Sequence, residues 1–230
     1  MTTAVVAGAS LLAHPVAFNA AFAALASSFD YPDILRRPTN EVLARFRAGG
    51  PRLVLTWWVF ALTAVALAPV AVVLAAALRD ANETLLVTGV IFGVLAALVQ
   101  FLGLVRWPFL VPYLARVDAD LDASDSRREA VDVVFQAFHR YLGVAVGEHL
   151  GYLFTGAWTV LVGVAFTQAS EGPGWLGIAG IFVGVVLALC SLEFVGPAER
   201  TGWRLAGAVT PIAYVAWSVW LVGVGVALIA

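Results

Sequence analysis

Six long apolar runs constrain this chain more than any other feature. They are Ala4–Ala26, Leu53–Leu78, Leu85–Val105, Tyr141–Thr167, Trp175–Val195 and Trp203–Ile229. Each approaches or exceeds the ~20 residues that an α-helix needs to cross a bilayer. Hydrocarbon offers no partner for a peptide N–H or C=O, so a spanning segment must close its own hydrogen bonds and is a helix. Only 12% of the residues are charged and mean hydropathy is +0.93, against roughly 25% charged in soluble domains. The expected fold is all-α: one domain over residues 1–230, a membrane bundle of six transmembrane helices. The expected location is a multi-pass position in the cell membrane. The N-terminal run lacks the basic flank of a cleaved signal peptide and reads as a retained first helix.

Arginine placement predicts the orientation. All 13 basic residues are arginine. The loops after the first, third and fifth runs hold Arg36, Arg37, Arg45, Arg47, Arg52, Arg106, Arg116, Arg127, Arg128, Arg140, Arg200 and Arg204, and only Arg79 lies on the other side. The positive-inside rule then makes those three loops cytoplasmic and both termini extracytoplasmic. A net charge of −2 gives no reason to expect nucleic acid. A single cysteine, Cys190, excludes an internal disulfide.

The cytoplasmic loops carry amphipathic segments. After Pro38, Thr39 or Asn40 can cap a short interfacial helix in which Val42, Leu43 and Phe46 share a face. Arg106-Trp107-Pro108 reads as an interfacial break, followed by a short piece, Phe109–Ala115, that Pro112 interrupts. Asp118, Asp120, Asp122 and Glu129 match positions of a calcium-loop template, but Ala123 stands where the sharp turn needs glycine. Ser126-Arg127-Arg128-Glu129 reads instead as a capping box that starts an amphipathic helix. Val131, Val134, Phe135, Phe138 and Leu142 follow at helical spacing.

Polar residues inside the runs are few, and intramembrane ionisable groups mark function by default. Glu148, Tyr152, Thr155 and Thr159 fall on one helical stripe. Gly143, Gly147 and Gly151 form a second stripe, where a neighbouring helix can come close. With Asn19 and Gln100, the hydroxyl stripe is expected to line a polar pocket in the cytoplasmic half, open on that side. The function this favours is binding or transport of a small molecule or ion, with no catalytic residue assigned and a non-enzymatic role favoured. One alternative is a haem or redox protein that uses His14 and His149 as axial ligands. Another is a non-catalytic partner subunit or sensor that docks through its arginine-rich loops. The expected partners are the bilayer, a small molecule or ion, and a second copy or a membrane partner. No metal cluster is expected, because the Glu-x-x-His spacing of carboxylate-bridged bundles is absent.

The stretches FDYPDILRRPTNEVLARF, RWPFLVPYLA, GEHLGYLFTGAWT, SLEFVG and AYVAWSVWL resemble those of a prokaryotic family of six-helix integral membrane proteins catalogued as a domain of unknown function. The resemblance runs through nearly the whole chain. It implies a single six-helix membrane domain and supplies no activity, substrate or cofactor.

Overall fold

The computed structural model describes residues 2–120, 122, 124–169 and 173–230. Six helical stretches are long and apolar enough to cross a membrane. The first is α1 (Thr3–Phe29). The second is α2 (Thr39–Val65) continued by α3 (Leu67–Ala77). The third is α4 (Glu83–Phe109), followed by the short α5 (Val111–Asp118). The fourth runs from α6 (Asp125–Phe138) through a π-helical segment (His139–Leu150) into α7 (Gly151–Gln168). The last two are α8 (Gly174–Cys190) and α9 (Arg204–Ile229). Each overlaps one of the six runs expected from the sequence.

Successive spans are neighbours, and α1 packs on α9, so the six spans form a closed ring. Gly8 lies against Gly225 and Ile229, which brings both termini to the same end of the ring. The arginine-rich loops occupy the opposite end.

Two glycine seams draw helices together. A Cβ built on Gly156 would sit 2.5 Å from Gly184 O, and one on Gly163 would sit 2.7 Å from Gly177 O. Those contacts lock α7 to α8. The expected stripe of Gly143, Gly147 and Gly151 meets α4. A Cβ on Gly103 would fall 2.6 Å from Gly147 Cα, and one on Gly151 would fall 2.9 Å from Gln100 Cγ. Without side chains between them, the backbones meet directly and dispersion replaces the hydrophobic effect that lipid cannot supply. The π-helical turn over this seam was not foreseen; such i→i+5 segments are rare and widen the helix locally.

The interior is filled by two apolar clusters. One, toward the termini, contains Leu11, Leu74, Trp158, Phe166, Trp217 and Trp220. The other, toward the arginine-rich end, contains Phe29, Ile34, Phe46, Trp57, Trp107 and Phe135. Trp57 and Trp107 stack at 4.4 Å in its centre.

The amphipathic segment expected after Pro38 is present. It is the first part of α2, which bends at Gly50, with φ 56° and ψ −155°, a conformation open essentially to glycine alone. Val42, Leu43 and Phe46 are 1%, 0% and 2% exposed; their face is buried in protein. Thr39 Oγ1 donates to Asp132 and accepts from Gln136 Nε2, which ties α2 to α6.

Two local expectations are revised. The cap of α6 is Ser124, whose hydroxyl accepts from Arg127 N at 3.3 Å, so the helix starts before the expected Ser126 box. The break after Arg106 comes at Leu110, and Pro112 opens α5, where its missing N–H costs nothing. In the calcium-like loop, Asp120 pairs with Arg127 at 3.2 Å, and Ala123 lies outside the described residues.

Gly103→Val forces a side chain into the Gly147 backbone and should cost about 1–3 kcal/mol as overpacking. Thermal unfolding in detergent, followed by tryptophan fluorescence, should show a lowered midpoint. Gly174→Ala, whose new methyl meets open space, should not lower it. Equal midpoints for Gly103→Val and wild type would contradict the seam.

Candidate functional site: the polar band around Glu148

The two apolar clusters do not merge, and polar side chains occupy the level between them. On the third span, Gln100 Nε2 donates to Ala96 O and to Thr155 Oγ1, both at 3.1 Å. This links α4 to α7 and brings together two of the residues singled out by sequence. Tyr152, one turn toward the arginine-rich end from Thr155, stacks edge-on against Tyr214 of α9, with centroids 5.4 Å apart. Glu148 sits one further turn along, in the π segment.

Glu148 faces the interior. The charged groups that act on it are Arg106 of α4, Glu193 after α8 and Arg36 after α1. The phenols of Tyr31, Tyr152 and Tyr214 lie within its field. Those groups lie on α4, α7, α9 and the segments after α1 and α8. Yet Glu148 forms no ion pair among the described residues, where the pairs are all peripheral. The described side-chain polar atoms that are both buried and unpartnered are Trp57 Nε1 and Tyr214 Oη. Among the described residues, the Glu148 carboxylate and the Tyr31 and Tyr152 hydroxyls have no hydrogen-bond or ion-pair partner. All three residues are half-buried. A half-buried carboxyl group without a protein partner is accommodated by protonation, by water or by a ligand.

Arg106 acts on Glu148 without pairing with it. Its guanidinium lies against Gly143, where a Cβ would approach Nη2 to 2.6 Å. It donates to Gly103 O and contacts His139 Nδ1 at 3.4 Å, and it lies over the Trp107 ring at 5.4 Å. Arginine is 8% exposed here, and its hydrogen bonds and cation–π contact offset the desolvation. Tyr31 packs edge-on to Trp57 at 5.1 Å. Its phenol pKa is raised, first by burial and then by Glu148, with Arg106 opposing; it is a neutral donor. Arg36 is well exposed and pairs with Asp33. It lies in the segment after α1, at the arginine-rich end.

The other sequence candidates have separate places. Thr159 is fully buried; its Oγ1 donates to Thr155 O at 2.7 Å and accepts from Trp217 Nε1 at 2.9 Å. Asn19 donates to Pro15 O at 2.7 Å and to Ser218 Oγ at 3.0 Å, on the α1–α9 seam. His14 is buried edge-on to Trp217 at 6.0 Å. His149 donates Nδ1–H to Ser191 O at 2.8 Å. Each histidine thus has its own partner, and no contact joins them. No group of three or more His, Cys, Asp or Glu suited to a metal occurs among the described residues. Sequence reasoning missed Tyr31 and Tyr214; it named Arg106 only as a possible ion-pair partner of Glu148, and no such pair forms among the described residues. Tyr214 stands three residues before Trp217 in α9, on the same helical face, and that spacing was a readable signal.

The Trp217–Thr159 hydrogen bond should show a coupling of about 0.6–1.5 kcal/mol in a cycle of Trp217→Phe and Thr159→Val. Reversible unfolding in mixed micelles measures it. A coupling indistinguishable from zero would mean that the bond does not hold α7 to α9.

No curated protein and no solved structure matches the chain. A family model described as a domain of unknown function, DUF4386, matches residues 6–225. That match spans nearly the whole chain, which therefore belongs to the DUF4386 family.

Proposed function

We propose that the protein binds a small polar ligand in the space around Glu148, entered from the arginine-rich end, which faces the cytoplasm of the cell membrane. The observation that carries this reading is the Glu148 carboxylate itself: within a membrane-spanning stretch, half-buried, and without an ion pair among the described residues. Tyr152 and Tyr31 offer hydroxyls beside it, and Arg106 supplies a fixed positive charge on the opposing wall. Such a set recognises a ligand with at least one hydrogen-bond donor for the carboxylate and an apolar or aromatic body for the tyrosine faces. The tryptophan-rich cluster around Trp158, Trp217 and Trp220 fills the ring on the far side, so entry and exit share one mouth. The orientation follows from the arginine distribution. The separate engagement of His14 and His149 gives the haem alternative no supporting observation.

Native mass spectrometry of protein released from its own lipids tests this reading. Wild type should carry a small non-lipid adduct, and Glu148→Gln, which keeps the shape and removes the charge, should carry at least tenfold less. The midpoint of thermal unfolding should not fall in that variant. Equal adduct on both proteins, or none on wild type, would contradict the proposal.

A further inference from the structure

A second cavity lies at the arginine-rich end, outside the ring. It is an open groove of about 610 Å³ between the second and third spans. Its cause is visible in both walls. On one side α2 bends at Gly50 and restarts at Pro51, which swings its amphipathic half away from the span. On the other, the chain breaks at Leu110, between Pro108 and Pro112. The two elbows face each other, and the groove is the wedge they leave. A Cβ on Gly50 would meet nothing within 4 Å.

The groove is amphiphilic along its length. Val54, Leu55, Trp58 and Phe109 line the part that continues the membrane spans. Leu55 is 60% and Phe109 is 69% exposed, so this wall is bare of protein cover. Arg47 and Arg116 line the other part. Arg47 Nη1 donates to Ala115 O at 3.3 Å, which holds its guanidinium one residue from Arg116. No acidic side chain lines the groove, and neither arginine has a carboxylate within ion-pair distance among the described residues. Both arginines are exposed, and guanidinium N–H groups suit phosphate oxygens.

We infer that this groove is a binding site for an anionic phospholipid, with the headgroup phosphate on Arg47 and Arg116 and the acyl chains along Leu55, Trp58 and Phe109. The charge of the rim selects the anionic headgroup. The apolar wall, continuous with the spans, selects a lipid over free phosphate. A tryptophan at this depth is where interfacial aromatic rings settle. The site is independent of the space around Glu148.

Native mass spectrometry after mixing the detergent-purified protein with phosphatidylglycerol or phosphatidylcholine reads the site. Phosphatidylglycerol should bind as a discrete first adduct, and phosphatidylcholine more weakly. Each arginine near an anionic lipid is worth about fivefold in affinity, so Arg47→Ala/Arg116→Ala should weaken the first adduct about thirtyfold. Arg47→Lys/Arg116→Lys keeps the charges and guards against simple loss of fold; it should retain most of the binding. Arg79→Ala, at the other end of the ring, should bind as wild type. Excess inorganic phosphate should not displace the lipid. Equal affinity for both lipids, a double variant that matches wild type, or full competition by inorganic phosphate would each overturn the assignment. So would a stoichiometric protein partner seated at these residues.

Discussion

The direct contact between the backbones at Gly103 and Gly147 is the constraint on which the rest of the bundle depends. Lipid provides no hydrophobic drive between helices, so close approach has to come from packing of small residues. Here the third and fourth spans meet with no side chain between them. The consequence is chemical as well as mechanical. One turn along, the missing side chain at Gly143 leaves a bay for the Arg106 guanidinium, so an arginine that composition assigns to the interface is drawn inside. On the neighbouring face of the same segment, Glu148 turns into the ring. One seam therefore bears on the placement of both Arg106 and Glu148, which form no ion pair with each other.

The π-helical segment belongs to this arrangement. Its i→i+5 turns are wider than those of an α-helix and are less stable, and they persist where packing or function requires them. In this chain the segment covers His139–Leu150, the stretch that carries Arg140, Gly143, Gly147, Glu148 and His149. Widening the helix here lets glycines face α4 while Glu148 faces the tyrosines. The two apolar clusters above and below fix the ends of the ring and leave the level between them to polar side chains.

What was legible in the sequence follows from the solvent. Six spans were readable because hydrocarbon permits only one backbone solution, and each expected run overlaps one long apolar helical stretch. The glycine stripe was readable because its four-residue spacing survives the change from α to π geometry. The link between Gln100 and Thr155 was within reach because both are polar at matching depth. The seat of Arg106 was not, because its neighbours Trp107 and Pro108 mark an interface and nothing local announces the bay at Gly143. Tyr31 was hidden in a loop, and its approach to Glu148 depends on how the loop folds back under the ring. The start of α6 was misplaced because Ser124 and Ser126 are both competent caps, and the α6 N-terminus selects the first. The groove at the elbows depends on Gly50 and Leu110 lying opposite each other, a relation between distant parts of the chain.

The account stands on water reaching Glu148 from the arginine-rich end alone. In a Cys190→Ala background, a cysteine placed at 148 can be labelled with a membrane-impermeant maleimide, in sealed right-side-out and inverted vesicles. Labelling from the side of the arginine-rich loops, with none from the other side, is the predicted result. Protection from both sides, with the denatured protein labelling fully, would contradict it, and so would labelling only from the side of the termini.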